Sequence, residues 1–153
     1  IIGSAGDDIL VGGLGNDRLV GGYGDDLYLF SIGDGIDVIS NKDSNDNSFD
    51  ILDFGDIEYD ALWLSRIGTD LIVDVIGSND QIEVNNWYRN ENEQLDAIYA
   101  GDNMLLRHQV DQLVSVMAAY TVPSGVDAFI PETVRVELDT TLTTVWTNAL
   151  TSL

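Results

Sequence analysis

Three aspartates recur at intervals of nine residues near the start of the chain: Asp8, Asp17 and Asp26. Each follows a glycine-rich segment and precedes a short, mainly apolar run. Carboxylates, together with backbone carbonyls that a glycine turn can direct inward, are the oxygen ligands that Ca²⁺ prefers, roughly six to eight to an ion. The residue types and their spacing therefore point to the binding of a hard cation.

The aspartates belong to three consecutive nonapeptides that begin at Gly3, Gly12 and Gly21. Their sequences are GSAGDDILV, GGLGNDRLV and GGYGDDLYL, each with glycine at positions one and four and aspartate at position six. The pattern predicts a turn followed by a strand that is too short to be stable alone. Stacking of successive units in a parallel coil would bury the residues at position eight together. Those residues are Leu10, Leu19 and Tyr28.

Two further segments keep part of the pattern. In segment 33–39 the glycines are retained and Asp37 precedes a Val-Ile pair, whereas in segment 41–50 the glycines are absent and Asp50 precedes an Ile-Leu pair. If one nonapeptide makes half a coil, alternate turns share an edge, and carboxylates two units apart lie side by side. The expected result is as many as three Ca²⁺ sites, at the pairs Asp8/Asp26, Asp17/Asp37 and Asp26/Asp50.

The predicted ligands are of two kinds. The side chains are those of Asp8, Asp17, Asp26, Asp37 and Asp50. The glycines of the turns, as backbone-carbonyl ligands, are Gly3, Gly6, Gly12, Gly15, Gly21 and Gly24. The neighbouring carboxylates, interpreted as solvated turn residues, are Asp7, Asp25, Asp34, Asp43 and Asp46. Because stacked carboxylates repel one another and a bound cation reverses that interaction, metal binding and folding are expected to be one event.

The three nonapeptides resemble the calcium-binding repeats G-G-x-G-x-D-x-U-x of the RTX (repeats-in-toxin) family. The first unit departs from the pattern only at Ser4, where the second glycine belongs. The resemblance implies a parallel β-roll that holds Ca²⁺ between successive turns, with Asp8, Asp17 and Asp26 as side-chain ligands. It also implies export from a bacterium by type I secretion.

After Leu52 the period of nine is lost and alternating apolar residues begin. They predict three strands, 62–66, 70–76 and 81–85, in an antiparallel meander. This region, with its Trp87-Tyr88 pair, resembles the segment that follows the repeats in many RTX proteins and caps the roll. The expected fold is all-β dominated, namely a parallel β-roll (1–52) and a capping region of strands plus a helix (53–120), followed by a tail (121–153) with a C-terminal helix.

Two helices are predicted from apolar residues at helical spacing. The first, 107–119, carries Val110, Leu113, Val114 and Met117 on the face expected to dock on the cap. The second lies in the last fourteen residues, where one face carries Leu142, Val145, Trp146, Ala149, Leu150 and Leu153. The tail resembles the type I secretion signals of RTX proteins in position and character, and packing as a last helix on the cap is the alternative.

The charge balance excludes several classes of partner. Acidic residues number 27 and basic residues 6, for a net charge of −21. Nucleic acid and anionic membrane surfaces require clustered Lys and Arg, so neither is expected as a partner. With no cysteine and only His108, thiolate sites and histidine-rich zinc sites are also excluded. No run approaches the roughly 18 apolar residues of a membrane span.

The sequence therefore predicts a calcium-binding module that folds on Ca²⁺ binding after type I secretion. Its expected partners are Ca²⁺ and the secretion machinery, and its expected location is extracellular, including a bacterial cell surface. It would cap and nucleate the β-roll of a larger exported protein. The alternative is a glycan- or partner-binding module of a secreted adhesin, with Trp63, Trp87, Tyr88 or Tyr99 as stacking platforms. An enzyme is not expected, because the chain has no Ser-His-Asp set, thiol nucleophile or phosphate loop.

Overall fold

The computed structural model describes residues 1–42 and 47–149. Asp43 and Asp46, and the end of the tail from Leu150 to Leu153, lie outside the described residues. Within these described residues, eleven strands form two sheets, and two α-helices lie between the last two strands in the chain. The strands are β1 (Ile9–Val11), β2 (Arg18–Val20), β3 (Leu27–Leu29), β4 (Ile36–Ser40), β5 (Ile51–Asp53), β6 (Leu62–Ile67), β7 (Asp70–Val75), β8 (Gln81–Val84), β9 (Ala97–Ala100), β10 (Asn103–Leu106) and β11 (Thr147–Asn148). The helices are α1 (Arg107–Met117) and α2 (Glu132–Val145).

Successive repeat units alternate between the two sheets. One sheet has the order β1-β3-β5-β9-β10-β11 and the other the order β2-β4-β8-β7-β6. Strands β1, β3 and β5 are parallel neighbours, and so are β2 and β4. The position-eight residues Leu10, Leu19 and Tyr28 all face the core and are at most 1 % exposed. The prediction that these three residues are buried is confirmed.

The predicted fold class, an all-β parallel β-roll with a separate cap, was wrong. The protein is a mixed α/β protein with two mixed sheets of six and five strands, largely parallel, and two helices of 11 and 14 residues. The physical reason lies in the edges that the repeats leave open. The nine-residue pattern ends near Leu52, and β8 and β9 from the later chain then pair in parallel with β4 and β5.

The three strands predicted after the repeats are present and belong to the second sheet. β6 pairs with β7 and β7 with β8, both antiparallel, over Leu62–Ile67, Asp70–Val75 and Gln81–Val84. Because β8 also pairs with β4, this meander extends a sheet that begins in the repeats. Trp63 and Trp87 lie in the core behind it, at 1 % and 2 % exposed.

The helix α1 agrees with the prediction to within two residues at its end. Its buried face carries Val110, Leu113, Val114 and Met117 and packs against β6 and α2. Neither this helix nor any other among the described residues is long and apolar enough to cross a membrane.

The second helix lies earlier in the chain than predicted. It begins directly after Pro131, and its last buried residues are Leu142 and Val145. Thr147 and Asn148 leave the helix and pair with β10. Thr and Asn have weak helix propensity, so strand pairing at this edge wins over continuation of the helix. Trp146 is buried, as expected for the apolar face.

Glycines allow the turns of alternate units to stack backbone against backbone. Gly24 lies against Gly6, and Gly35 lies against Gly15. Gly35 has φ of +97°, and a Cβ there would lie 3.0 Å from the Asn16 Oδ1 atom and closer still to the Gly15 carbonyl. Both the backbone conformation and the space therefore require glycine at this position.

We expect Gly35→Ala to destabilise the protein more than Gly13→Ala. Gly13 also has positive φ, +81°, but a Cβ there would meet no atom within 4 Å. Both substitutions carry the cost of a left-handed alanine, about 1–2 kcal/mol, and Gly35→Ala adds a steric cost of about 1–3 kcal/mol. Urea unfolding of the two variants measures the difference. Equal losses would contradict the stacking of the Gly35 turn on the Gly15 turn.

Candidate metal centre

Hydrogen bonds join the members of each predicted aspartate pair. The Asp8 N–H donates to the Asp26 Oδ1 atom at 3.0 Å, and the Asp17 N–H donates to the Asp37 Oδ1 atom at 2.9 Å. The Asp26 N–H donates in the same way to the Asp50 Oδ1 atom at 2.9 Å. The parallel pairing of the strands that follow each aspartate sets this register. The structure thus brings all five aspartates into side-by-side pairs.

The Asp17/Asp37 pair leaves two carboxylate oxygens without a partner. The Oδ2 atoms of both residues are buried and make no hydrogen bond. A Cβ on Gly12 would lie 2.9 Å from the Asp37 Oδ2 atom and 3.1 Å from the Asp17 Oδ2 atom, so both oxygens face the backbone of the position-one glycine. Asp37 is fully buried. Buried carboxylate oxygens that lack a donor are costly unless a cation or a proton compensates them.

The surroundings of Asp37 raise the pKa of its carboxyl above the ordinary value. Burial is the largest cause, the hydrogen bond from the Asp17 backbone opposes it, and the charges of Asp17, Asp34 and Asp80 add to it. In the absence of a cation, this carboxylate is therefore held in an environment that disfavours its charged form.

The Asp8/Asp26 pair has a different partner. The Asp8 Oδ2 atom accepts hydrogen bonds from the Ser4 N–H at 2.6 Å and from the Ser4 hydroxyl at 3.1 Å. A Cβ on Gly3 would lie 2.7 Å from the same oxygen, which repeats the relation of Gly12 to Asp17. Gly21 lies in the same way against the carboxylate of Asp26. Each pair therefore includes a carboxylate beside a position-one glycine, but the first turn satisfies Asp8 with donors of its own.

The position-four glycines take part in the stacking of the turns. Around Gly6 and Gly15 the space that a Cβ would take is open, and Gly24 packs against the backbone of Gly6. Of the carboxylates interpreted as solvated, Asp7 and Asp25 are exposed. That interpretation was wrong for Asp34, which is 8 % exposed. Its Oδ2 atom accepts a hydrogen bond from the Ser31 N–H, because the carboxylate turns back onto its own loop.

Asp96, from the later part of the chain, continues the arrangement of the aspartate pairs. The Asp50 N–H donates to the Asp96 Oδ2 atom at 2.8 Å, and Arg107 lies 4.0 Å from the other oxygen of Asp96. Asp96 precedes Ala97-Ile98, and this aspartate-then-apolar signal was present in the sequence.

Asp80 binds the turn that precedes β4, the strand of the five-stranded sheet that contains Asp37. Its two oxygens accept hydrogen bonds from the N–H groups of Gly33 and Gly35, at 2.8 Å and 2.9 Å, and the residue is 7 % exposed. The sequence identified this position only as part of a turn between two strands. Its hydrogen bonds to the Gly33 turn join residues that are 45 and 47 positions apart in the sequence. A period of nine does not reveal such contacts.

The aromatic residues proposed as stacking platforms are largely internal. Trp63 and Trp87 are buried in the core. Tyr88 is half-buried, and the Arg66 guanidinium covers its ring at 4.3 Å from the centroid. The only histidine, His108, is exposed on α1, far along the chain from the aspartate pairs.

No protein-family model matches the chain. Within residues 1–42 and 47–149, no three or more His, Cys, Asp or Glu side chains form a group that could hold a metal ion. A cation at Asp17 and Asp37 would therefore need backbone oxygens and water to complete its coordination. Two buried carboxylate oxygens without donors, one on each aspartate, fit a hard cation of that kind.

The raised pKa of Asp37 predicts a pH dependence in calcium-free buffer. Because the folded-state pKa lies above the unfolded value, the stability linked to this group is present below about pH 3.8 and is lost as pH rises through the folded-state pKa. Asp37→Asn keeps an oxygen for the Asp17 N–H and removes the charge. We expect this variant to be more stable than the parent protein at pH 7, with the difference shrinking toward pH 4.

Urea unfolding at several pH values measures this difference. Asp56→Asn is the matched control, because Asp56 is exposed and should change the stability by no more than about 0.5 kcal/mol. An Asp37→Asn variant that is less stable than the parent at pH 7 without calcium would contradict the electrostatic account of this pair.

Proposed function

We propose that this protein is a calcium-binding module whose folded state is stabilised by Ca²⁺ at the Asp17/Asp37 pair. One observation carries the proposal: two buried carboxylate oxygens, each without a hydrogen-bond partner, face the same glycine backbone. The Asp8/Asp26 pair is a second position of the same design. A Ca²⁺ ion at this pair would have to displace the hydrogen bonds from Ser4 to Asp8, so we expect weaker binding there.

The donor set favours Ca²⁺ over other common cations. The ligands available at the pair are carboxylate and backbone oxygens, which exclude a thiolate or imidazole site and suit a hard cation. Mg²⁺ demands a near-ideal octahedral arrangement and keeps most of its water, whereas Ca²⁺ accepts irregular arrangements with backbone carbonyls. The two parallel turns of the pair, which the strand register holds in place, supply the irregular arrangement that Ca²⁺ accepts.

Calcium would couple folding to location. A chain with net charge −21 and stacked carboxylates resists compaction in the absence of a counter-ion. Extracellular calcium modules bind at about 10⁻⁴ to 10⁻³ M, so a module of this class is loaded outside cells and empty in a calcium-poor cytosol. The likeness of the nonapeptides to RTX repeats supports the same order of events: export of an unfolded chain, followed by folding.

The tail supports this order on physical grounds. Leu142, Val145 and Trp146 are buried against the rest of the protein once it is folded. An export apparatus that recognises this apolar face would meet it only in the unfolded chain. We therefore include in the proposal that the tail carries a type I secretion signal that folding conceals.

Thermal unfolding with and without calcium tests the proposed function. With a dissociation constant of about 10⁻⁴ M, 1 mM free Ca²⁺ is about ten times the dissociation constant, and a single site then stabilises the folded state by about 1.4 kcal/mol. We expect the parent protein to gain stability of this order between chelator and millimolar Ca²⁺. Asp37→Asn should lose most of the gain, and Asp56→Asn should keep it.

An equal concentration of Mg²⁺ serves as the ion control and should give a much smaller shift. The same unfolding midpoint in chelator and in millimolar Ca²⁺ would overturn the proposed function. Equal calcium responses of the Asp37→Asn and Asp56→Asn variants would move the site away from the Asp17/Asp37 pair.

A further inference from the structure

The third aspartate pair contains an amide side chain that the other two pairs lack. Asn41 is 2 % exposed and lies between Tyr28 and Asp50. The Tyr28 hydroxyl donates to the Asn41 Oδ1 atom at 2.6 Å, and the Asn41 Nδ2 atom donates to the Asp50 Oδ2 atom at 2.8 Å. The same nitrogen reaches the Gln94 carbonyl at 3.3 Å. Four buried or partly buried groups thus form one connected network.

Chemistry fixes the orientation of this amide. Both neighbours of the Nδ2 atom, a carboxylate and a backbone carbonyl, can only accept hydrogen bonds, so the N–H groups of Asn41 must face them. The Tyr28 hydroxyl donates to the amide oxygen and in turn accepts from the Gly21 N–H at 3.0 Å. Each donor therefore meets an acceptor along the series of hydrogen bonds that leads from the Gly21 N–H to the Asp50 carboxylate.

The contrast with Asp17/Asp37 is the basis of the inference. There, the Oδ2 atoms of both aspartates are without donors. At the third pair, the Asp50 Oδ2 atom already receives an N–H from Asn41. An amide nitrogen with its hydrogens turned toward the carboxylate cannot ligate a cation, and its partial positive charge repels one.

We propose that Asn41 and Tyr28 take the place of a cation at the Asp26/Asp50 pair. This pair is then a metal-free junction, and calcium dependence is confined to the turns at Asp17/Asp37 and Asp8/Asp26. The inference rests on the proposed function, but the hydrogen-bond network itself involves protein groups alone. It joins the repeat strands to β9, because the Asp50 N–H also binds Asp96.

Calcium stoichiometry, measured by isothermal titration calorimetry, tests this inference. Asn41→Asp keeps the shape of the side chain and replaces its N–H donors by a ligand oxygen. We expect this variant to bind one Ca²⁺ more than the parent protein. The matched control, Asn92→Asp, makes the same chemical change on an exposed side chain and should leave the stoichiometry unchanged. An Asn41→Asp variant with the stoichiometry of the parent would overturn the inference.

Asp50→Asn tests the same point without creating a new ligand. If the junction holds no metal, this variant binds as many Ca²⁺ ions as the parent, whereas Asp37→Asn binds one fewer. Loss of one bound Ca²⁺ in Asp50→Asn would overturn the inference. This measurement tests the inference even if Asn41→Asp fails to fold.

A metal-free measurement separates the two proposals. In chelator, Tyr28→Phe removes the hydroxyl that completes the network, and we expect its unfolding midpoint to fall below that of the parent. A Tyr28→Phe midpoint equal to that of the parent would count against the junction. A parent protein that binds no calcium at all would overturn the proposed function, and a gain of one ion by Asn41→Asp would then still support the junction.

Discussion

The structure depends on one recurring contact, in which the carboxylate of one aspartate accepts the backbone N–H of the aspartate two units before it. This contact recurs with the register of the parallel strands that follow each pair. It satisfies one oxygen of each acceptor and brings negative charges together in partly buried surroundings, where they interact strongly. The carboxylate oxygens that this contact does not satisfy need partners of their own, and the turns differ in the partner that they use.

The partners change along the chain. The first turn supplies Ser4, the Asp26/Asp50 pair supplies Asn41, and Asp96 has Arg107 nearby. These are protein solutions to the same electrostatic problem, since each places a hydrogen-bond donor or a positive charge beside a carboxylate. The Asp17/Asp37 pair has no such solution. A proton or an exogenous cation is left to compensate it, which is why this pair, and not the whole acidic surface, carries the functional proposal.

The sequence predicted what a local period can encode. A spacing of nine residues identified the turn, the strand and the buried position eight, and alternation of units identified which aspartates lie side by side. It did not predict the architecture, because the parallel edges of β4 and β5 are completed by β8 and β9, whose pairing spans dozens of residues and follows no repeat. Asn41 was missed for a related reason. It lies where the glycine pattern has already failed, and only the fold brings its amide to Asp50.

Because the carboxylates have different partners along the chain, the two ends of the protein differ in local stability. The metal-free junction lies beside β9, deep in the six-stranded sheet, where β5 has a neighbour on each side. β1 lies at the edge of that sheet, and its Ile9 and Val11 are 70 % and 51 % exposed. Strands that bury little apolar surface and have one neighbour open most easily. The first units are therefore the least stable part of the fold when calcium is absent, because the strands from β5 onward have more hydrogen-bond partners and core contacts of their own. Calcium would then act on the end of the molecule that contributes least to its own stability, and the later strands would provide the template on which that end closes.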